Sequence, residues 1–239
     1  REFLAWVAAR GAERATLWNP APLVLWNSHK FYLRDLERRG IPIAPTRFLP
    51  ARSAAKLQDV LDAEGWSRAV VKPAVSATAH RTLVIGRERA DESDGELRAL
   101  VADGDALVQK YLPEIETKGE WSFVFLDGAF SHAVRKRPAP GDFRVQTEFG
   151  GTVEPGPPPP SLVREAARAI DAIDSPWLYA RVDGVESEGA LLLMELELIE
   201  PSLYLSAAAH AARRLAAAIA RIAEREDAEL APAAAGGEI

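Results

Sequence analysis

Leu191-Leu192-Leu193-Met194-Glu195-Leu196-Glu197-Leu198-Ile199-Glu200-Pro201 is the stretch that decides how this chain is read. Two acids stand two residues apart in an otherwise apolar run. In an extended chain residues two apart share a face, so Glu195 and Glu197 point the same way. A buried, unpaired carboxylate is costly, and two like charges together are worse. A hard divalent cation relieves both problems, and oxygen donors suit magnesium. Leu178 to Val185 and Ala190 to Ile199 read as two strands joined by a polar turn at Gly189, which makes Asp183 a candidate third ligand. The competing reading is an edge strand with its acidic face in water.

Working outward, Trp121 to Leu126 and Ala129 to Val134 flank Asp127-Gly128, the pair that suits a type I′ hairpin. Pro157 to Pro160 form a rigid spacer before a helix over Leu162 to Ile173. Ser206 to about Arg225 is a last helix, with Leu215, Ile219 and Ile222 on one stripe, and the tail from Glu226 has the composition of a disordered segment. Toward the amino terminus, Asn27 to Arg39 is helical and closed by Gly40, and Ile41 to Thr46 is extended because two prolines exclude helix. Ser53 is expected to cap a helix running to Glu64 and closed by Gly65. Val70 to Pro73, Leu83 to Ile85 and Ala106 to Leu112 are strands, and Asp94 to Val101 is a helix. Helices mixed with antiparallel hairpins predict an α+β fold rather than a βαβ order.

The 239 residues include no cysteine, which excludes disulfides, thiolate metal sites and a cysteine nucleophile. The net charge is −6 and basic residues are scattered, which argues against a nucleic-acid partner. No apolar run reaches the ~20 residues of a membrane span and no leader pattern is present, so a soluble, cytoplasmic protein is expected. The chain opens at Arg1 and its single Met is Met194, which suggests a missing upstream segment. The P-loop, the dinucleotide fingerprint, the zinc-helix motif and the nucleophile elbow are all absent. Lysines are few. Lys72 ends a strand beside a small-residue loop (Ala74 to His80) and can hold a phosphate as a point charge, as can Lys30, or either can be a plain surface residue. Arg135-Lys136-Arg137 with Gly141-Asp142-Phe143-Arg144 either clamps a transferring phosphoryl group or forms a solvated basic turn.

Val71-Lys72-Pro73, Gln109-Lys110-Tyr111-Leu112-Pro113, Gly141 to Gln146, and Asp183 followed by Met194-Glu195-Leu196-Glu197 occur in this order over roughly residues 25 to 205. In order and spacing the chain resembles the ATP-grasp superfamily, nearest the glutathione synthetase and ribosomal-protein glutamate-ligase branch. Trp26-Asn27-Ser28 and Glu200 to Tyr204 are a looser match to the cyclo-ligase branch of D-cycloserine formation.

The resemblance implies two α+β lobes whose antiparallel sheets grip ATP, with the amino-terminal lobe largely absent. Residues 1–24 would be that lobe's remnant, 25–108 a lid subdomain, 109–226 the carboxy-terminal subdomain and 227–239 a disordered tail. It implies that Lys30 and Lys72 touch the phosphates and that Ser76 lies in the loop closing over them. Gln109, Lys110, Tyr111 and Leu112 would form the adenine hinge, with Glu120 at the ribose. Lys136 and Arg144 would neutralise the γ-phosphate and an acyl phosphate, and Asp183, Glu195 and Glu197 would hold magnesium (or manganese). The loop lacks the glycines of many relatives, and Glu197 stands where they often have Asn. Arg181 shares a strand face with Asp183 and would either pair the substrate carboxylate or brace the acidic cluster. The implied reaction joins a carboxylate to an amine on a small amino-acid or peptide-like substrate. A nucleotide-binding module without catalysis and a metal-dependent hydrolase remain the alternatives.

Overall fold

The computed structural model describes residues 2–12, 17–76 and 80–230. Thr78 of the small-residue loop and residues 231–239 of the expected tail lie outside this range. In chain order the elements are α1 (Glu2–Gly11), α2 (Ala21–Asn27), α3 (Tyr32–Arg38), β1 (Thr46–Leu49), α4 (Leu57–Glu64), β2 (Arg68–Pro73), β3 (Leu83–Gly86), α5 (Asp94–Asp103), β4 (Ala106–Lys110) and α6 (Glu114–Thr117). They continue with β5 (Glu120–Leu126), β6 (Ala129–Arg137), β7 (Thr152–Pro155), α7 (Pro160–Asp171), β8 (Tyr179–Ser187), β9 (Ala190–Glu197) and α8 (Ala211–Leu230).

The smaller sheet runs β1-β4-β2-β3 and the larger β7-β6-β5-β8-β9, every pairing antiparallel. Alternation along the strands gives each sheet one core face and one face toward a shared cleft. On the smaller sheet Ala69, Val71, Ala106 and Val108 pack on Leu57, Leu61, Leu97 and Leu100 of α4 and α5. On the larger, Phe123, Phe125, Ala180 and Val182 pack on Leu162, Ala166, Ala169 and Ile170 of α7. The other faces carry Lys72 and Gln109 from one sheet and Glu120, Lys136, Arg181 and Asp183 from the other.

Several expected elements change. The helix over Asn27–Arg39 is two, because Lys30 N donates to Ala74 O (2.8 Å) and ties the intervening turn to the end of β2. α4 begins at Leu57 rather than near Ser53. Its first amide is capped by the buried Asp94 carboxylate (Leu57 N to Oδ1, 2.8 Å), supplied by α5. β7 was not anticipated, and α8 runs on to Leu230 where a tail was expected from Glu226. The hairpin stands as read: Asp127 (φ 49°) and Gly128 (φ 78°) are both left-handed, as a type I′ turn requires.

The opening stretch holds a bulge. Asp183 faces Glu195, but the next residue, Gly184, faces Leu193, so Met194 is an extra residue on β9. Before it Leu191 and Leu193 enter the core; after it Leu196 and Leu198 do. Strict alternation from Leu191 would have driven Glu195 and Glu197 into that core. The bulge turns them to the cleft. A Cβ on Gly184 would lie 2.7 Å from Leu191 Cδ1 and 2.8 Å from Leu192 O, so only glycine lets the bulge close against β8.

Candidate active site

The cleft between the sheets encloses about 630 Å³, and every residue expected at a site lines it. At one end it is apolar, with Val70, Tyr111, Leu112, Ile115 and Met194. The hinge amides of Lys110 and Tyr111 are engaged by Pro45 O (2.8 Å) and Arg68 O (3.1 Å). Leu112 N carries no hydrogen bond among the described residues. Gln109 does something the sequence did not show. Thr46 Oγ1 donates to Ala44 O (2.6 Å), so it accepts from Gln109 Nε2 (3.0 Å). The Gln109 Oε1 is thereby turned to accept from Lys72 Nζ at 3.1 Å.

At mid-cleft the carboxylate oxygens of Asp183, Glu195 and Glu197 lie within 4.8 Å of one another. This is an all-oxygen set of the kind hard divalent cations prefer, so the residues fit the magnesium site that the resemblance implies. Cations surround it. Lys30 Nζ bridges Glu195 Oε1 (2.7 Å) and Ser76 O (3.0 Å). Lys136 contacts Glu120 and reaches Asp183 Oδ2 at 3.1 Å. Arg181 grips Asp183 through Nε (3.0 Å) and Nη2 (2.9 Å), and also contacts Glu197. Ser122 Oγ adds a 2.7 Å hydrogen bond to Asp183 Oδ1. Of the two roles expected for Arg181, its contacts are those of a brace for the acids, and the side chain also lines the cleft.

Each group's proton affinity follows from this packing. Burial opposes charge on Asp183, but Arg181 and Lys136 outweigh it and hold the carboxyl well below the usual range. Burial likewise opposes charge on Lys136, and Asp183 and Glu120 keep its ammonium well above the ordinary value. Glu195 is lowered because Lys30 and Lys72 overcome its burial. At Glu197 burial wins and pushes the carboxyl up to about 8. Burial also brings Lys72 down to about 8, against the pull of Glu195.

Three expected residues sit differently from a bare phosphate clamp. Glu120 is engaged by Lys136, and Lys110 is exposed at the rim. Arg144 lies on the loop after β6, with its Nη2 paired to Asp142 Oδ2 (2.7 Å) and its guanidinium 3.8 Å from the Phe149 ring centroid.

Sequence reading missed the side chains that hold β9 in place. Among the described residues no strand pairs with its outer edge alongside the two glutamates. Leu196 N donates to Tyr32 Oη (2.9 Å), and Asn27 donates to Leu196 O (2.7 Å) and accepts from Leu198 N (2.9 Å). Asn19 donates to Leu198 O (2.8 Å) and Tyr179 O (2.8 Å). The signal that was available is the Trp26-Asn27-Ser28 motif, which gave no hint of this role.

No family model matches the chain. The cycloserine biosynthesis protein DcsG of Streptomyces lavendulae is 32% identical over 231 residues, spanning 92% of this chain and 77% of the relative. The crystal structure of D-cycloserine synthetase DcsG matches with a TM-score of 0.81 at 29% identity, covering 94% of this chain and 78% of its own. The ATP complex of D-alanine–D-alanine ligase from Bacillus anthracis shares the fold at a TM-score of 0.61 and 21% identity, over 86% and 69% of the two chains. With the sheets, the cleft and these likenesses in agreement, the chain belongs to the ATP-grasp family of ATP-dependent ligases.

Proposed function

We propose that this ligase forms an amide, linear or cyclic, on a small amino-acid-like substrate by way of an acyl phosphate. The observation that carries the reading is the Asp183, Glu195 and Glu197 cluster set among Lys30, Lys72, Lys136 and Arg181 in one cleft. The chain would divide as a lid built on the smaller sheet and a body built on the larger.

Adenine fits the apolar end, where Leu112 N is free to donate. Lys30 and Lys72 would take the phosphates, with Gln109 aiming the Lys72 ammonium. Ser76 would cover them from its loop. Magnesium held by Asp183, Glu195 and Glu197 would supply charge neutralisation along the phosphate chain. A substrate carboxylate oxygen attacks the γ-phosphorus, the bond to the β-bridging oxygen breaks, and ADP leaves. The amine nitrogen then adds to the acyl carbon, phosphate departs, and the amine proton passes to solvent. Lys136 and Arg144 would neutralise the transferring phosphoryl group, and Arg181 would steady the acyl oxygen. The protein contributes position and fixed charge, with no protein nucleophile. Likeness to a D-cycloserine synthetase supports ring closure as one outcome of the second step.

The test is phosphate release from Mg-ATP with and without added amino acids, with hydroxylamine present to trap an acyl phosphate as a hydroxamate. Melting unshifted by Mg-ATP would remove the nucleotide reading. ATP turnover that ignores every added amino acid and yields no hydroxamate would remove the acyl-phosphate route.

A further inference from the structure

The wall of the cleft includes Glu200, Ser202 and Tyr204, from the segment that follows β9. Tyr204 lies there with φ 45° and ψ 42°, a left-handed conformation that few residues other than glycine adopt. The strain is held from three sides. Arg181 Nη1 donates to Ser202 O (3.3 Å), His132 Nε2 donates to Leu203 O (2.9 Å), and Ala207 N donates to Tyr204 O (2.8 Å). The ring packs beside Val124 and Leu126, and its centroid is 5.8 Å from the Arg181 guanidinium carbon. A glycine would meet the backbone demand with no strain, yet the position carries a phenol. Arg52, Arg81, Asp127 and Glu188 also have positive φ, but of these residues Tyr204 is the one that lines the cleft, and backbone strain of this kind clusters at functional sites.

The hydroxyl gives the second observation. The chain has four tyrosines. Tyr32 Oη accepts from Leu196 N, Tyr111 donates to Glu116, and Tyr179 donates to Ile199 O. The Tyr204 hydroxyl alone has no partner among the described residues, and it belongs to the cleft lining. It lies within the fields of Lys136, Arg181, Asp183 and Glu120, and burial holds its proton on more firmly than in water. It is therefore a donor throughout the neutral range, in the wall of the cleft beside Arg181.

We propose that Tyr204 is a catalytic residue whose hydroxyl donates a hydrogen bond to the substrate carboxyl, beside Arg181. The substrate class is a small carboxylic acid whose carboxyl lies between Tyr204 and the acidic cluster. This rests on the ligase reading above. When the amine adds to the acyl carbon, the carbonyl π pair moves onto oxygen. Tyr204 and Arg181 then face that oxygen as its charge grows, and the pair returns as the bond to phosphate breaks. The phenol keeps its proton throughout. Such a donor is worth most where charge develops.

The experiment uses the twenty amino acids in both configurations as probes, with ADP release from Mg-ATP as the signal, in wild type, Tyr204→Phe and Tyr204→Gly. Phe keeps the ring and the strain; Gly removes both. The member that drives the fastest wild-type release is carried into kinetics. Tyr204→Phe is expected to lower kcat about 10- to 100-fold, with the KM for ATP within about twofold. Both variants should keep the melting shift given by Mg-ATP, which shows intact folding and nucleotide binding. Wild-type kcat in Tyr204→Phe with a slow Tyr204→Gly would assign the residue to packing and overturn the proposal. Absence of amino-acid-dependent release in wild type would instead sink the ligase reading, and the proposal with it.

Discussion

Replacing Asn27 by Ala should loosen the acidic pair from behind. The Asn27 amide is buried and makes two hydrogen bonds to β9 and the residue that follows it, one given to Leu196 O and one accepted from Leu198 N. Those backbone groups flank Glu197 on either side. A buried polar group left unmatched costs about 1–3 kcal/mol. Two such groups would cost roughly 2–6 kcal/mol, and the lower half applies here because the void opens beside the cleft, where water can enter. We expect a loss of about 3 kcal/mol, which for a chain of this size lowers the melting temperature by roughly 6–12 °C. The same variant should need more magnesium for half-maximal ADP release, since the strand carrying two of the three carboxylates has lost its brace. Asn27→Asp separates hydrogen bonding from volume. It keeps an acceptor for Leu198 N but turns a carboxylate oxygen toward Leu196 O, so it should be no better than Ala. Differential scanning fluorimetry reads the first effect, and a magnesium titration of ADP release reads the second. Melting of Asn27→Ala within about 2 °C of wild type, or an Asn27→Asp protein as stable as wild type, would refute the reasoning.

Other expectations follow from the same geometry. Glu195→Gln should lower ADP formation by about 100-fold or more, and chelation by EDTA should mimic it; a Glu195→Gln enzyme with full activity would show that the acids hold no metal. Lys136→Met leaves Glu120 and Asp183 without their shared buried cation, and urea denaturation should show a loss of about 3–5 kcal/mol. Arg144→Ala should leave the melting temperature unchanged, because its ion pair with Asp142 is at the surface, while ADP release falls steeply. Burial holds the Lys72 ammonium down to about 8, below its unfolded value near 10.4. Between those values the unfolded chain carries the extra proton, so wild-type stability should rise with pH across this window. Urea titrations of Lys72→Met should lack that rise, and wild-type affinity for ATP should weaken above pH 8 as the ammonium is lost.

What could be read from sequence was what local chemistry determines. Asp127-Gly128 forced its hairpin, and the two-residue spacing of Glu195 and Glu197 placed both on one face. The resemblance named the residues that the cleft then brought together. What stayed hidden depends on partners far along the chain. The bulge at Met194 looks like nothing in a run of leucines, because it exists only as a mismatch against Gly184. Asp94 gives no sign that it caps α4, and Gln109 gives none that Thr46 turns its amide toward Lys72. The helix expected over Asn27–Arg39 broke for a similar reason: its periodicity is sound, but the turn is fixed by Ala74. Tyr204 appeared in a loosely matching motif, and nothing local announces its left-handed backbone.

β9 is the last strand of its sheet, and a bare last strand is a template on which another chain can add. Here the row is engaged on both sides of the bulge. Leu193 N and O are taken by Pro42 O (3.0 Å) and Ala44 N (2.9 Å), and beyond the bulge Tyr32, Asn27 and Asn19 occupy Leu196 and Leu198. A strand that must leave its carboxylates open to a cleft would otherwise be a place for copies of the protein to stick together. With the acids left open, the groups on this side take up the backbone positions that strand addition by another chain would need.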